Sequence, residues 1–523
     1  MKKFKFGTIF VLALVFVVAF GLSPVRAESP SEGGDLVVAL GEDPEHLNPA
    51  LTTGYPVAAA TANVYSALTW RSEDGEAQPD LAKSWDVSDD YLEYTFYLQE
   101  DVRWHDGEAF TSADVKFSME ELLANYHGRF QDVAEKIADI ETPDDYTVVI
   151  TLEEPYAPFL SSMTVFDAPI LPRHLLEDVD DYGDADITTS PVGTGPFQFV
   201  EWERGDRIVL ERYDDYHGQV AYMDRLYYNI LPDTASRTAA LETGEVDYIM
   251  GHYFPRADIP RFRENPDIEV WQGTRIPALW FAFVNHEHPE LGDPLVRQAL
   301  MHATDRDLII ELSQEGLGNY KIGPMGASFD FVDFPETNYE NLYPYNPDRA
   351  RELLDEAGVD SLDIEIIVDP AREDLMQAAE IMQDNFRQID VNLSIDTQER
   401  EVMIENVYEK RNYDLSMQSF TSGGDPASGY HRLYTTQDFG TPFVSATGYS
   451  KEEVDELLSE AASTPDVEER KAVYEEALNI IAQDVPILAL YEEESVDVNN
   501  AKLRGLRESL DVRDKLNKIW WSE

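Results

Sequence analysis

The 523-residue chain contains no cysteine. Disulfide staples, thiolate metal sites and thiol nucleophiles are excluded at the outset. Cations are scarce too: 40 lysines and arginines stand against 102 aspartates and glutamates, a net charge of −62. A surface of that sign repels nucleic acid and anionic lipid, so neither is expected as a partner. The acids are spread along the whole chain. That even spread favours a solvated acidic shell suited to high salt, where screening relieves self-repulsion, over the other reading, recruitment of cationic ligands. Beyond Phe20 no apolar run is long enough to cross a bilayer, and no internal repeat is visible. Catalytic words are equally missing: there is no His-Glu-x-x-His and no Gly-x-Ser-x-Gly.

What is present begins with a leader. Lys2, Lys3 and Lys5 precede an apolar run from Ile9 to Phe20, and Val25-Arg26-Ala27 places small residues at −3 and −1. The run is shorter than the roughly 20 residues of a span. Residues 1–27 are therefore expected to be a signal peptide cleaved after Ala27. No cysteine follows to be lipidated, so the exported product is expected in the periplasm, with free secretion as the other outcome. The remaining length exceeds one ordinary core and predicts two or three lobes.

Tyr94, Phe96 and Leu98 alternate with Thr95 and Tyr97, the period of a half-buried strand. His105-Asp106-Gly107 reads as a turn, and Thr111 stands three residues before Asp114 at capping-box spacing. Val115, Met119, Leu122 and Leu123 then recur at helical spacing. Ser190-Pro-Val-Gly-Thr-Gly-Pro-Phe197 has glycines enough to suggest a phosphate cradle, but no lysine follows and the next residues alternate as a strand. Asn346 to Gly358 is a complete helix on paper, with an Asn cap, Pro at its first position and a terminal Gly. Strands around Ile364–Val368 and Val391–Ile395 flank a helix around Ala378–Phe386, a crossover unit of an α/β lobe. Ser450 with Glu453 is a second capping-box candidate, and Pro486–Tyr491 a short apolar strand.

The word from Asp101 to Val115, Asp-Val-Arg-Trp-His-Asp-Gly-Glu-Ala-Phe-Thr-Ser-Ala-Asp-Val, resembles the signature of the family 5 extracellular solute-binding proteins. These are the peptide-, nickel- and oligosaccharide-binding subunits of ABC importers. The resemblance extends over essentially everything after the leader. It implies an α/β fold of the type II periplasmic-binding-protein kind: two main lobes, an extra α/β subdomain in the first, and a hinged cleft. On that template lobe I takes residues 34–56, 184–278 and 487–523, the accessory subdomain 57–183, and lobe II 279–486. It further implies a non-catalytic, monomeric receptor without cofactor or metal, closing on a short peptide or an oligosaccharide and passing it to a transmembrane permease. The alternative from a different class is a secreted hydrolase adapted to salt, which turnover of peptide or glycoside would reveal.

The same resemblance nominates site residues. The word Asp43-Pro-Glu-His-Leu-Asn-Pro49 precedes a family loop that faces the ligand, which puts Thr53 and Tyr55 at the cleft. Trp280 lies at the inferred crossover into the second lobe. Gln418, Phe420, Ser422 and Asp425 belong to the strand and loop that end, in the family, in Asp-Pro or Glu-Pro. Peptide binders of the family carry an aspartate three residues before that acid, paired with the peptide ammonium. Here that position is Ser422, which cannot balance a buried cation. Asp425, through a shifted loop, is the substitute to consider. Arg400 stands where the family often has a cleft tryptophan, in the strand near Thr397–Glu401, and offers five donors to an anion or to sugar hydroxyls. His286-Glu287-His288 suggests metal ligation only weakly and is expected to be an exposed turn.

Overall fold

The computed structural model describes residues 29–72, 75–273, 277–370, 372–437, 440, 443–506 and 515–523. The leader expected at 1–27 lies outside them. Three sheets organise the chain. The first has seven strands in the order Ile268–Gly273, Ser495–Asn500, Tyr248–Ile249, Asp35–Leu40, Arg225–Ile230, Arg207–Arg212, Phe197–Glu203. Asp35–Leu40 runs parallel to both its neighbours, with Asp35 opposite Arg225 and Val38 opposite Tyr248. It sits at the centre because it is apolar enough to be covered on both faces: Leu36, Val38, Ala39 and Leu40 are fully buried.

The accessory sheet has four antiparallel strands, ordered Ala82–Val87, Glu93–Leu98, Thr147–Leu152, Ile137–Asp144. Tyr94, Phe96 and Leu98 point into its core, as their alternation predicts. Gly107 turns the chain at φ +96°, and Thr111 and Asp114 form a reciprocal capping box on the helix Ser112–Phe117. The helix continues into a wider π turn, Ser118–Leu123, that keeps Met119, Leu122 and Leu123 buried. The signature word thus builds core: Trp104, Phe110 and Val115 are fully buried. The glycines of the Gly193-Thr194-Gly195 word have a packing reason as well. A Cβ on Gly193 would fall 1.9 Å from the Val64 carbonyl oxygen, and one on Gly195 2.5 Å from that of Asn63. The accessory sheet and the seven-stranded sheet share one continuous apolar core.

The third sheet orders Gly318–Asn319, Ile487–Glu493, Ala278–Val284, Leu415–Thr421, Leu362–Val368, Val391–Thr397. Its last three strands are mutually parallel neighbours, and the helix Glu373–Arg387 makes the expected crossover. This lobe has its own core. The strand Ile487–Glu493 lies inside it, paired with Ala278–Val284. Lobe I therefore regains the chain after Glu493 and not at residue 487. An apolar strand buried on both faces suits either sheet equally well, so its composition does not reveal which one it joins. The capping box at Ser450 does not form either. The helix Glu452–Ala462 starts one residue later than that box requires, and the Ser450 hydroxyl accepts a hydrogen bond from Thr436.

Candidate functional site

The chain leaves the first sheet at Gly273, enters the third at Ala278, and crosses back at Glu494. Two groups of contacts draw the lobes together. Near the crossings, Arg256 pairs with Glu493, whose other oxygen accepts the Trp280 indole N–H at 2.9 Å. On the far side, the Ala157 amide of the accessory subdomain donates to the Ala462 carbonyl of lobe II at 2.8 Å. Gly424 of lobe II lies flat against Arg71 of the accessory subdomain, where an added Cβ would fall 2.3 Å from the guanidinium. Arg71 is itself held by the Ser161 carbonyl and by Asp167.

A recess of about 280 Å³ opens in the lobe II wall. It lies beyond the carboxyl ends of the three parallel strands, the position at which α/β sheets usually take ligands. Asp369 and Arg372 come from the loop after Leu362–Val368, and Arg400 from the start of the helix Arg400–Ile404. Tyr408 comes from the turn Glu405–Glu409, Met417 to Thr421 from the strand itself, and Arg432 from the turn His431–Leu433. Phe443 closes one side.

Of the nominated residues, Arg400, Gln418 and Phe420 line this recess together. Arg400 begins a helix rather than sitting in a strand, because the strand ends at Thr397. The Gln418 amide is engaged from within: its oxygen accepts from Tyr408, and its nitrogen donates to Ser416 at 3.0 Å. Phe420 presents its ring beneath the Arg432 guanidinium, 4.4 Å from the ring centre. Trp280 is set back from the recess, 4% exposed, with Arg372 covering its face at 4.5 Å. Thr53 is exposed at the start of the lobe I helix Tyr55–Thr61, and Tyr55 stacks on His252 at 4.4 Å. The structure does not bring these two against the recess lining.

Ser422 and Asp425 are placed differently from their nomination. Ser422 is fully buried and turns its hydroxyl onto the Gly423 carbonyl at 2.9 Å. Asp425 caps the short helix Pro426–Gly429, and both its oxygens receive the Arg470 guanidinium at 2.6 Å. Arg470 also donates to Tyr474, whose hydroxyl meets His431 at 2.8 Å. Burial holds His431 down to about 3, assisted by the nearby Arg470 charge against the pull of Asp425. Asp425 is thus the counter-charge of a buried arginine, and no carboxylate at either position is left to receive a ligand ammonium.

His286 and His288 diverge. His286 faces the Pro486 carbonyl and is lowered to about 4, by burial first and by Arg297 second. His288 accepts from the Glu290 amide through Nδ1. Among the described residues no group of three His, Cys, Asp or Glu could hold a metal ion, and no helix is long and apolar enough to cross a membrane. Sequence reasoning missed Arg372 and Arg432. Arg372 had a signal, since it follows a strand of the crossover unit at the carboxyl end; Arg432 had none.

The sequence model for bacterial extracellular solute-binding proteins, family 5 (Middle), matches residues 76–441. A dipeptide-binding protein of Escherichia coli is 28% identical over 483 residues, covering 86% of this chain and 87% of that one. A glutathione-binding protein of Pectobacterium atrosepticum is 27% identical over 500 residues, covering 94% and 95%. A periplasmic binding protein of Helicobacter pylori, solved with the peptide STSA, is 26% identical with a TM-score of 0.77 and covers 94% of this chain and 99% of its own.

Proposed function

The chain belongs to the family 5 solute-binding proteins of ABC importers, and from that premise we propose that it is an exported receptor for an oligomeric solute. A short peptide or an oligosaccharide enters between the lobes, is enclosed as they close, and is handed to a transmembrane permease. The observation that carries this reading is the recess in lobe II, with interlobe contacts both at the chain crossings and on the far side. Closure of this kind needs the ligand to bind the closed arrangement better than the open one. A single main-chain bond between the lobes, such as Ala157 to Ala462, contributes only about 1 kcal/mol. The solute then supplies the remainder.

The names and titles of two relatives, a dipeptide-binding protein and a protein solved with a peptide, favour a peptide over a sugar. The description of one as a periplasmic binding protein favours export. All the relatives reported above are binding proteins, which favours a receptor over the secreted hydrolase. The test has two parts. Native mass spectrometry of protein purified from its own cells should show a bound small molecule. Small-angle scattering of protein stripped of that molecule should show a larger radius of gyration than the loaded form. An unchanged radius would count against the two-lobe mechanism.

A further inference from the structure

The recess departs in charge from the rest of the molecule. In a chain with 102 acids, its lining holds three guanidinium groups and one carboxylate, Asp369. Their engagements differ. Arg372 is forked onto Asp374 at 2.8 and 3.1 Å, so its charge is met. Arg432 is half-buried. Its Nε donates to the Gly429 carbonyl at 2.9 Å and its plane covers Phe420; no described carboxylate lies within ion-pair distance, and from further off the Asp132 carboxylate of the accessory subdomain attracts it while the Arg129 charge repels it. Arg400 makes no hydrogen bond or ion pair with any described residue and stands 5.8 Å from the Phe443 ring centre. For the half-buried Arg432, a counter-charge held only at a distance leaves part of the desolvation cost unmet, whereas Arg400 is exposed and keeps its water. In so acidic a chain, a partner for either arginine was available from almost any neighbouring position.

We propose that the counter-charge arrives with the ligand: the recess takes a carboxylate of the solute between Arg400 and Arg432, with its carbon stem against Phe420 and Tyr408. The inference rests on the receptor reading above and adds the substrate class, a carboxylate-bearing solute. Two charged donors with planar forks suit a carboxylate. The aromatic and thioether lining around them suits the apolar stem that carries it. The carboxylate can belong to an acidic peptide or to a uronate oligosaccharide, and the chemistry at the two arginines is the same for both.

The test uses the full-length exported protein, stripped of bound solute. It is offered two pools: mixed-sequence peptides of two to five residues, and oligosaccharides containing both neutral and uronate members. Captured species are identified by mass spectrometry, and the best of them is titrated by calorimetry beside its amide analogue. The expected result is enrichment of carboxylate-rich species from one pool, which names the source, and at least tenfold weaker binding of the amide. Arg400→Gln should reduce that carboxylate-to-amide preference by tenfold or more. Arg400 is exposed and bonded to nothing described, so this variant should fold. Arg432→Lys, which keeps the charge and loses the fork, should reduce the preference by a smaller factor. Capture of neutral oligosaccharides, capture of peptides that bind as tightly with their carboxylates amidated, or an Arg400→Gln variant that keeps the wild-type preference overturns the proposal and leaves the receptor reading standing. Capture of nothing from either pool overturns both.

Discussion

Replacing Glu492 by Gln should make the protein's stability less sensitive to alkali. Glu492 is 3% exposed near the end of the strand Ile487–Glu493, just before the chain crosses between lobes. The Ala327 amide donates to it at 3.1 Å, Ser328 adds a bond, and Gly326 packs against its free side. Burial outweighs those donors and raises its carboxyl from 4.5 to about 7. The sign follows from proton counting. Between those two values the folded state holds a proton that the unfolded state has released, so stability falls as pH rises across the interval. At about 1.4 kcal/mol per pH unit, the wild type should lose about 2 to 3 kcal/mol between pH 5 and pH 8 relative to a variant with no proton to lose. Glutamine keeps an oxygen for the Ala327 amide and resembles the protonated acid in shape. The assay is urea denaturation of both proteins at pH 5, 6, 7 and 8 in constant molar salt. Taking the difference between the two proteins cancels the pH response of the other acids. If that difference stays flat across the range, Glu492 ionises as an ordinary surface acid and the reasoning is wrong.

Two further substitutions probe buried ion pairs. Asp425→Ala leaves the Arg470 guanidinium buried without its carboxylate and should cost about 3–5 kcal/mol in the denaturant midpoint. Loss of ligand affinity at unchanged stability would instead place Asp425 at the ligand. In lobe I, burial alone would push the Asp80 carboxyl up, but the Lys515 ammonium and the His217 ring outweigh it and hold it well below the ordinary range. That stabilisation is complete above the ordinary carboxylate range and fades as pH falls toward the depressed value. Lys515→Met should therefore move the acid-unfolding midpoint upward in a fluorescence titration, and an unmoved midpoint would assign Lys515 no part in it.

The elements of this fold were legible because their causes are local. The Thr111–Asp114 box, the Asn346 cap, the turn at Gly107 and the alternation of Tyr94, Phe96 and Leu98 each depend on residues a few positions apart. Ile487–Glu493 was misassigned between sheets because pairing is decided by a strand some two hundred residues earlier, Ala278–Val284. One nomination within the site was misread for the same reason in a sharper form. Asp425 was a sensible ammonium partner until Arg470, 45 residues on, is seen to occupy both its oxygens. Arg432 acquires meaning only when Phe420 lies under it and Arg400 shares its recess.

This separation also explains why the signature word identifies a family and no solute. Trp104, Phe110 and Val115 are closed inside the accessory core and cannot touch a ligand. Their substitution would be felt as lost packing, about 3–5 kcal/mol for an aromatic cut to alanine, whatever the receptor binds. The floor of the recess is core, with Met417 and Phe420 buried in lobe II, but its three arginines come from loop, turn and helix-start positions. Arg400 is exposed there and its side chain is bonded to no described residue, so its exchange should cost little stability, and on the proposal above ligand charge is what constrains the position. A receptor of this architecture can thus change the solute it takes while the residues that identify its family remain as they are.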